Sequence, residues 1–155
     1  MINGKDLYFV AVKVFLENDK GEFLIIKDRF GCWDIPGGRL RQEDFDVPLE
    51  EVVGRKMKEE LGNNIVYELR EPMLHIRHER DEILENGKTE KVRIFAVGYV
   101  ATVVSGDIVL GTNHETSKWI DQEMCVPEEY FEGGWLRGVQ EYKKIKKDLK
   151  TQHSI

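Results

Sequence analysis

The stretch Trp33–Gly62, WDIPGGRLRQEDFDVPLEEVVGRKMKEELG, decides the fold. It opens on Ile35-Pro36-Gly37-Gly38, where two successive glycines free the backbone to turn sharply and let a carbonyl approach a ligand closely. A helix is predicted immediately beyond it. Asp46 is a candidate N-cap, Pro48 suits the first turn with its fixed φ and missing donor, and Leu49 to Leu61 is rich in helix formers. Gly62, followed by Asn63-Asn64, ends the helix.

At about 100° per residue, Leu49, Val53, Met57 and Leu61 form one stripe, which is the buried one. Lys56, Glu59 and Glu60 lie beside it within an arc of about 100°, so both carboxylates can reach one point facing the Gly37-Gly38 turn. Two hard oxygen donors, a nearby carbonyl and room for water suit Mg²⁺, with Mn²⁺ as the alternative. A bare Glu-Glu pair would be only a solvated helix face, so the arrangement as a whole has to carry the reading.

That arrangement resembles the Nudix box, Gly-x5-Glu-x7-Arg-Glu-U-x-Glu-Glu-x-Gly-U, where U is a bulky aliphatic residue. Arg55, Met57, Glu59, Glu60 and Gly62 occupy the expected places, and Gly38 matches the first glycine. Three departures stand out. The acidic residue after the glycines is Glu43 or Asp44, with eleven or ten residues intervening before Arg55 where the box has seven, so Phe45 to Leu49 holds a short insertion. Asn63 stands where an aliphatic residue is usual. Lys56 replaces the Glu that follows the box arginine, a position that in the family is commonly a metal ligand or the base that activates water. Lysine cannot bind Mg²⁺, and at i,i+4 it would tend to pair with Glu60. GDP-mannose mannosyl hydrolases, which are family members, work without that Glu because another loop supplies the base.

The resemblance implies a single Nudix-like domain over residues 1–155, an α/β/α sandwich around a mixed β-sheet. It implies metal ligation by Glu59, Glu60, the Gly38 carbonyl and Glu43 or Asp44, with Arg55 orienting the carboxylates. Glu115, in an acidic loop ahead of Trp119-Ile120-Asp121-Gln122-Glu123, is the candidate for a further ligand or for the base that Lys56 cannot be.

Composition bounds the partners. With 155 residues, 41% hydrophobic and 34% charged, the chain has the make-up of a globular domain with a real core. A net charge of −6 argues against a nucleic-acid polymer or an anionic membrane as partner, and an acidic protein that handles phosphates needs a local source of positive charge. Lys27, Arg29, Arg39 and Arg41 bracket the glycine turn; Lys27, Arg29 and Arg39 are the substrate-binding candidates, Arg by forked hydrogen bonds and Lys as a point charge. Cys32 and Cys125 suggest neither a disulfide framework nor a zinc site and are read as packing residues. No leader or membrane span is apparent, so a cytoplasmic location is expected. A homodimer is compatible with everything in the sequence.

In chain order, Tyr8 to Leu16, YFVAVKVFL, reads as a buried strand with Lys13 its only charge, and Glu22 to Lys27 as its hairpin partner across Asn18–Gly21. Ile65 to Leu69 and Met73 to Arg77 read as two strands divided at Pro72. His78 to Lys91, with Asn86-Gly87, reads as a mobile tip or flap, and His75 and His78 as solvated or packed rather than ligating. Val92 to Val104 is the central strand, Ile108 to Leu110 a short one, and Trp135 to Leu149 an amphipathic terminal helix. Phe30, Tyr99 and Trp119 are aromatics available to stack on a base.

The function expected is Mg²⁺-dependent cleavage of a nucleoside diphosphate linked to a moiety X. The alternatives are a Nudix-fold module that binds a nucleotide or a protein without turnover, favoured by Lys56, and a nucleotide-sugar hydrolase acting at the sugar carbon.

Overall fold

The computed structural model describes residues 3–153. Its strands are β1 (Phe9–Glu17), β2 (Glu22–Asp28), β3 (Trp33–Asp34), β4 (Gly37–Arg39), β5 (Val66–Ile83), β6 (Thr89–Ser105) and β7 (His114–Asp121). Two helices, α1 (Leu49–Leu61) and α2 (Gly133–His153), complete it. The sheet is mixed: β1 runs parallel to β6 from Phe9↔Ile94 to Glu17↔Thr102, and every other pairing is antiparallel.

Strand alternation sorts the core into two layers. Ala11 and Phe15 of β1 and Phe23 and Ile25 of β2 pack with Val139 and Tyr142 of α2. Val12, Val14, Leu16, Leu24 and Ile26 face the opposite way and meet Val52, Val53, Met57 and Leu61 of α1. The result is the α/β/α sandwich expected.

Several local expectations change. β1 and β2 pair only next to their turn, at Glu17↔Phe23; β2 spends its length on β7, and the glycine strand β4 takes the place on β1 that a hairpin would have filled. Pro72 does not divide a strand pair. β5 runs through it, shifting register on either side, because a bulge removes the need for the donor that proline lacks. The supposed flap is mostly ladder, with only residues 84–88 in the turn, where Leu84 N–H donates to the Lys88 carbonyl. Ile108 to Leu110 is loop: Val109 and Gly111 donate their N–H groups to the Leu61 and Glu60 carbonyls and so close the end of α1. Helix α1 starts at Leu49, with Pro48 as its N-cap and Asp46 exposed outside it. Cys125 is half-buried, but Cys32 is exposed.

Candidate active site

Gly37 is the pivot of the glycine strip. Its φ of +141° is closed to residues with a Cβ, and a methyl group there would sit 2.0 Å from the Val12 carbonyl oxygen. Freed from a side chain, β4 lies flat on β1, and the Gly37 N–H donates to Glu60 Oε2 of α1 at 3.0 Å. Helix and strip are thereby joined. Burial pushes the Glu60 carboxyl up to about 7, opposed by the Lys13 ammonium and the Gly37 N–H, so near neutral pH it both takes and gives a proton.

Around it the charged side chains answer one another. Asp44, not Glu43, receives Arg55: Nη1 donates to Oδ1 at 2.5 Å and Nη2 to Oδ2 at 2.7 Å, and the Arg41 N–H adds a third bond at 2.7 Å. The guanidinium holds the buried Asp44 carboxyl well below the usual carboxylate range. The insertion at 45–49 therefore leaves the acid–arginine pair intact. Glu43 is exposed. Glu59 accepts from Arg41 at 3.0 Å, with Arg55 Nε 3.7 Å and Lys56 Nζ 4.0 Å away. Lys56 pairs with Glu59 at i,i+3 rather than with Glu60 as the helical spacing suggested, because Gly37 already holds Glu60. Its side chain lies across Gly38, where an added methyl would meet Cε, Cδ and Nζ at 3.2–3.3 Å.

On the α2 side of the same glycines, a cavity of ≈ 130 Å³ is lined by Lys13, Asp34, Gly37, Gly38, Arg39, Arg80 and Trp135. Asp34, Arg80 and Trp135 are also walls of a larger cavity of ≈ 500 Å³ whose far side carries Trp33, His78, Tyr130 and Phe131. Lys13 is almost wholly buried, donating to Asp34 Oδ1 at 2.9 Å and the Ile35 carbonyl at 3.1 Å, with the Trp135 ring 5.0 Å from Nζ. His78 stacks on Trp135 at 4.7 Å, and its Nδ1 accepts from the Gly134 N–H. His114 is half-buried, with an Nδ1 that has no partner among the described residues.

Of the substrate-binding candidates, Arg39 lines the small cavity, ion-paired to Glu82 of β5 at 2.8 Å and lying over the Phe9 ring. Lys27 lies over Trp33, 5.5 Å from its centroid, and Arg29 is exposed in the turn after β2. Glu115 falls within strand β7, exposed, rather than in a loop. Among the stacking candidates, Phe30 is fully out in solvent and Tyr99 is in the core; Trp33, Tyr130 and Trp135 line the cleft instead. Lys13, Asp34 and Trp135 are among the site residues left unassigned from sequence, and each has a visible sign. Lys13 is the single charge in an apolar strand, Asp34 directly precedes the Ile-Pro-Gly-Gly turn, and Trp135 follows Gly133-Gly134.

A helix carboxylate docked on a glycine strip lies beside a cation-lined cleft, and the class that the comparisons define is that of hydrolases acting on phosphoric anhydrides. A family model described as NUDIX domain matches residues 7–148, and the chain belongs to the NUDIX family. A MutT protein from Methanosarcina mazei Go1 has the same fold at TM-score 0.66 and 22% identity, over 92% of this chain and 98% of that one. A MutT NUDIX hydrolase from Burkholderia pseudomallei matches at TM-score 0.52 and 27% identity, covering 76% and 85% of the two chains. The E. coli dihydroneopterin triphosphate pyrophosphohydrolase matches at TM-score 0.56 and 18% identity, covering 76% and 84%. No curated protein sequence matches. No helix among the described residues is long and apolar enough to cross a membrane.

Nudix hydrolases generally use divalent metals, but the side chains present here do not fit a resident ion. Among the described residues, no three of His, Cys, Asp or Glu converge as a ligand set. The carboxylates of Asp44, Glu59 and Glu60 face the cations Arg41, Arg55 and Lys56, so the site lacks the surplus negative charge that a divalent cation needs.

Proposed function

We propose that the chain cleaves the anhydride bond of a nucleoside diphosphate linked to a second group X. The observation that carries this reading is the Glu60 carboxyl, buried against the Gly37 N–H and poised near neutrality. Water attacks one phosphorus, Glu60 takes its proton, and the bridging P–O bond breaks to leave two phosphate monoesters. Glu115, exposed on β7, is the less favoured base. Arg39 and Arg80 hold phosphate oxygens at the small cavity, Lys27 and Arg29 attract them from the rim, and Trp33 and Trp135 offer faces to a base. Glu59 and Arg55 brace the helix end beside Glu60. Mg²⁺ or Mn²⁺, for which the resemblance implied the Gly38 carbonyl and Glu43 as donors, finds no ligand set among the described residues, and no step of this reading runs through it.

The test is product release from a panel of nucleoside diphosphate-X compounds, followed by phosphorus NMR with Mg²⁺, with Mn²⁺ and with a chelator. Turnover to two monophosphates, reduced about 100-fold or more in Glu60→Gln, is the expected result. Free sugar plus nucleoside diphosphate would mean attack at the sugar carbon instead. Tight nucleotide binding with no turnover under any condition would replace the enzyme with a binding module, the reading that Lys56 favours.

A further inference from the structure

The misfit between the family's divalent metal and this donor set has a specific cause, and the cause has a use. Lys56 is a cation with only 13% of its side chain exposed. Its nearest ionic partner, Glu59, stands 4.0 Å away, beyond hydrogen-bond reach, and Nζ makes no hydrogen bond among the described residues. An ammonium has three donors to satisfy, and with no hydrogen bond to a described residue Nζ is left to water and to any anionic oxygen that reaches it. Its chain is laid over Gly38, and any side chain at that position would press on its last three atoms. The glycine therefore serves the lysine, by leaving it room to lie against the strip that Glu60 also touches.

Building on the hydrolase reading, we infer that Lys56 is a tethered cation for the substrate's diphosphate, taking the charge-neutralising place that a carboxylate-bound metal ion would otherwise fill. Lys56 donates to a non-bridging phosphate oxygen beside Gly38 and offsets charge as the bridging bond breaks. The ligand class is a diphosphate, and recognition of its phosphates does not require a divalent ion. A carboxylate at position 56 would instead shift the local balance to a net negative charge and draw in a metal.

Inorganic pyrophosphate, titrated calorimetrically into the whole protein in EDTA, isolates this contact from any base or X group. Wild type is expected to bind, Lys56→Met to bind at least tenfold more weakly, and Lys56→Arg to keep most of the affinity. Lys56→Glu is expected to lose metal-free binding and to gain a Mn²⁺ site visible by electron paramagnetic resonance. Circular dichroism on each variant separates loss of fold from loss of the contact. No pyrophosphate binding by wild type in EDTA, or equal affinity in Lys56→Met, would overturn the inference. Turnover on the panel with Lys56 indifferent to binding would sink this inference and leave the hydrolase reading standing. Lys56-dependent binding with no turnover would do the reverse.

Discussion

At the scale of single residues, Glu60 makes a claim that stability can check independently of turnover. Burial raises its folded pKa to about 7 from an ordinary value of 4.5. The folded state thus keeps the proton over a range in which the unfolded chain has already lost it. The contribution to stability is whole below about pH 4.5, falls as pH rises through about 7, and is flat above. The swing is on the order of 3 kcal/mol. Glu60→Gln removes the ionisation and keeps an oxygen for the Gly37 N–H. It is therefore expected to be more stable than wild type at pH 8 and similar to it at pH 4.5, by urea unfolding at a series of pH values. Parallel curves for the two proteins would mean that Glu60 is solvated and no base of the kind proposed. The sequence placed this carboxylate on the right helix face, since helical spacing fixes direction. It could not show the Lys13–Asp34 pair near it, because that contact joins residues far apart in the chain.

At the scale of elements, the decisive joint lies between α1 and the turn that leads to it. A three-residue turn, Gln42–Asp44, presents Asp44 to Arg55 across the insertion, and the pair fixes how α1 leaves the glycine strip. Asp44→Asn keeps the shape and removes the charge. Because the Asp44 pKa is depressed in the folded state, the stability it gives is present above the ordinary aspartate value of 3.8 and is lost as pH falls. The variant is expected to melt below wild type at pH 7, with the gap narrowing toward pH 3 in differential scanning calorimetry. A gap that holds constant with pH would assign the loss to packing. Sequence alone left Glu43 and Asp44 both open, and only the curl of the turn, which buries one and exposes the other, chooses between them. Helices α1 and α2 were legible because a 3.6-residue period survives without neighbours. Strand partners were not: β1 abandons its hairpin mate because two glycines downstream can lie closer to it than any residue with a side chain.

At the scale of the molecule, the two helices serve opposite walls of one site. Helix α1 delivers Glu60 and Lys56 to the glycine strip from one face of the sheet. Helix α2 starts at Gly133-Gly134 tight against Arg77 and His78 of β5, which brings Trp135 over Lys13 on the other face. The long β5–β6 hairpin adds Glu82, tying Arg39 to the same region. If the cleft between them takes the nucleotide base or the X group, Trp135 is its central wall, shared by both cavities. Trp135→Ala is expected to raise KM or Kd for the substrate about three- to tenfold, as loss of one aromatic stacking face does, with kcat little changed. Trp135→Phe should recover most of the loss, since it restores a ring to His78 and to the Lys13 ammonium. Trp135→Ala also uncovers the Lys13 ammonium, so a lower melting temperature is expected and does not discriminate. The split between KM and kcat does: an unchanged KM beside a falling kcat would make Trp135 a cover for Lys13 and move the bound group elsewhere.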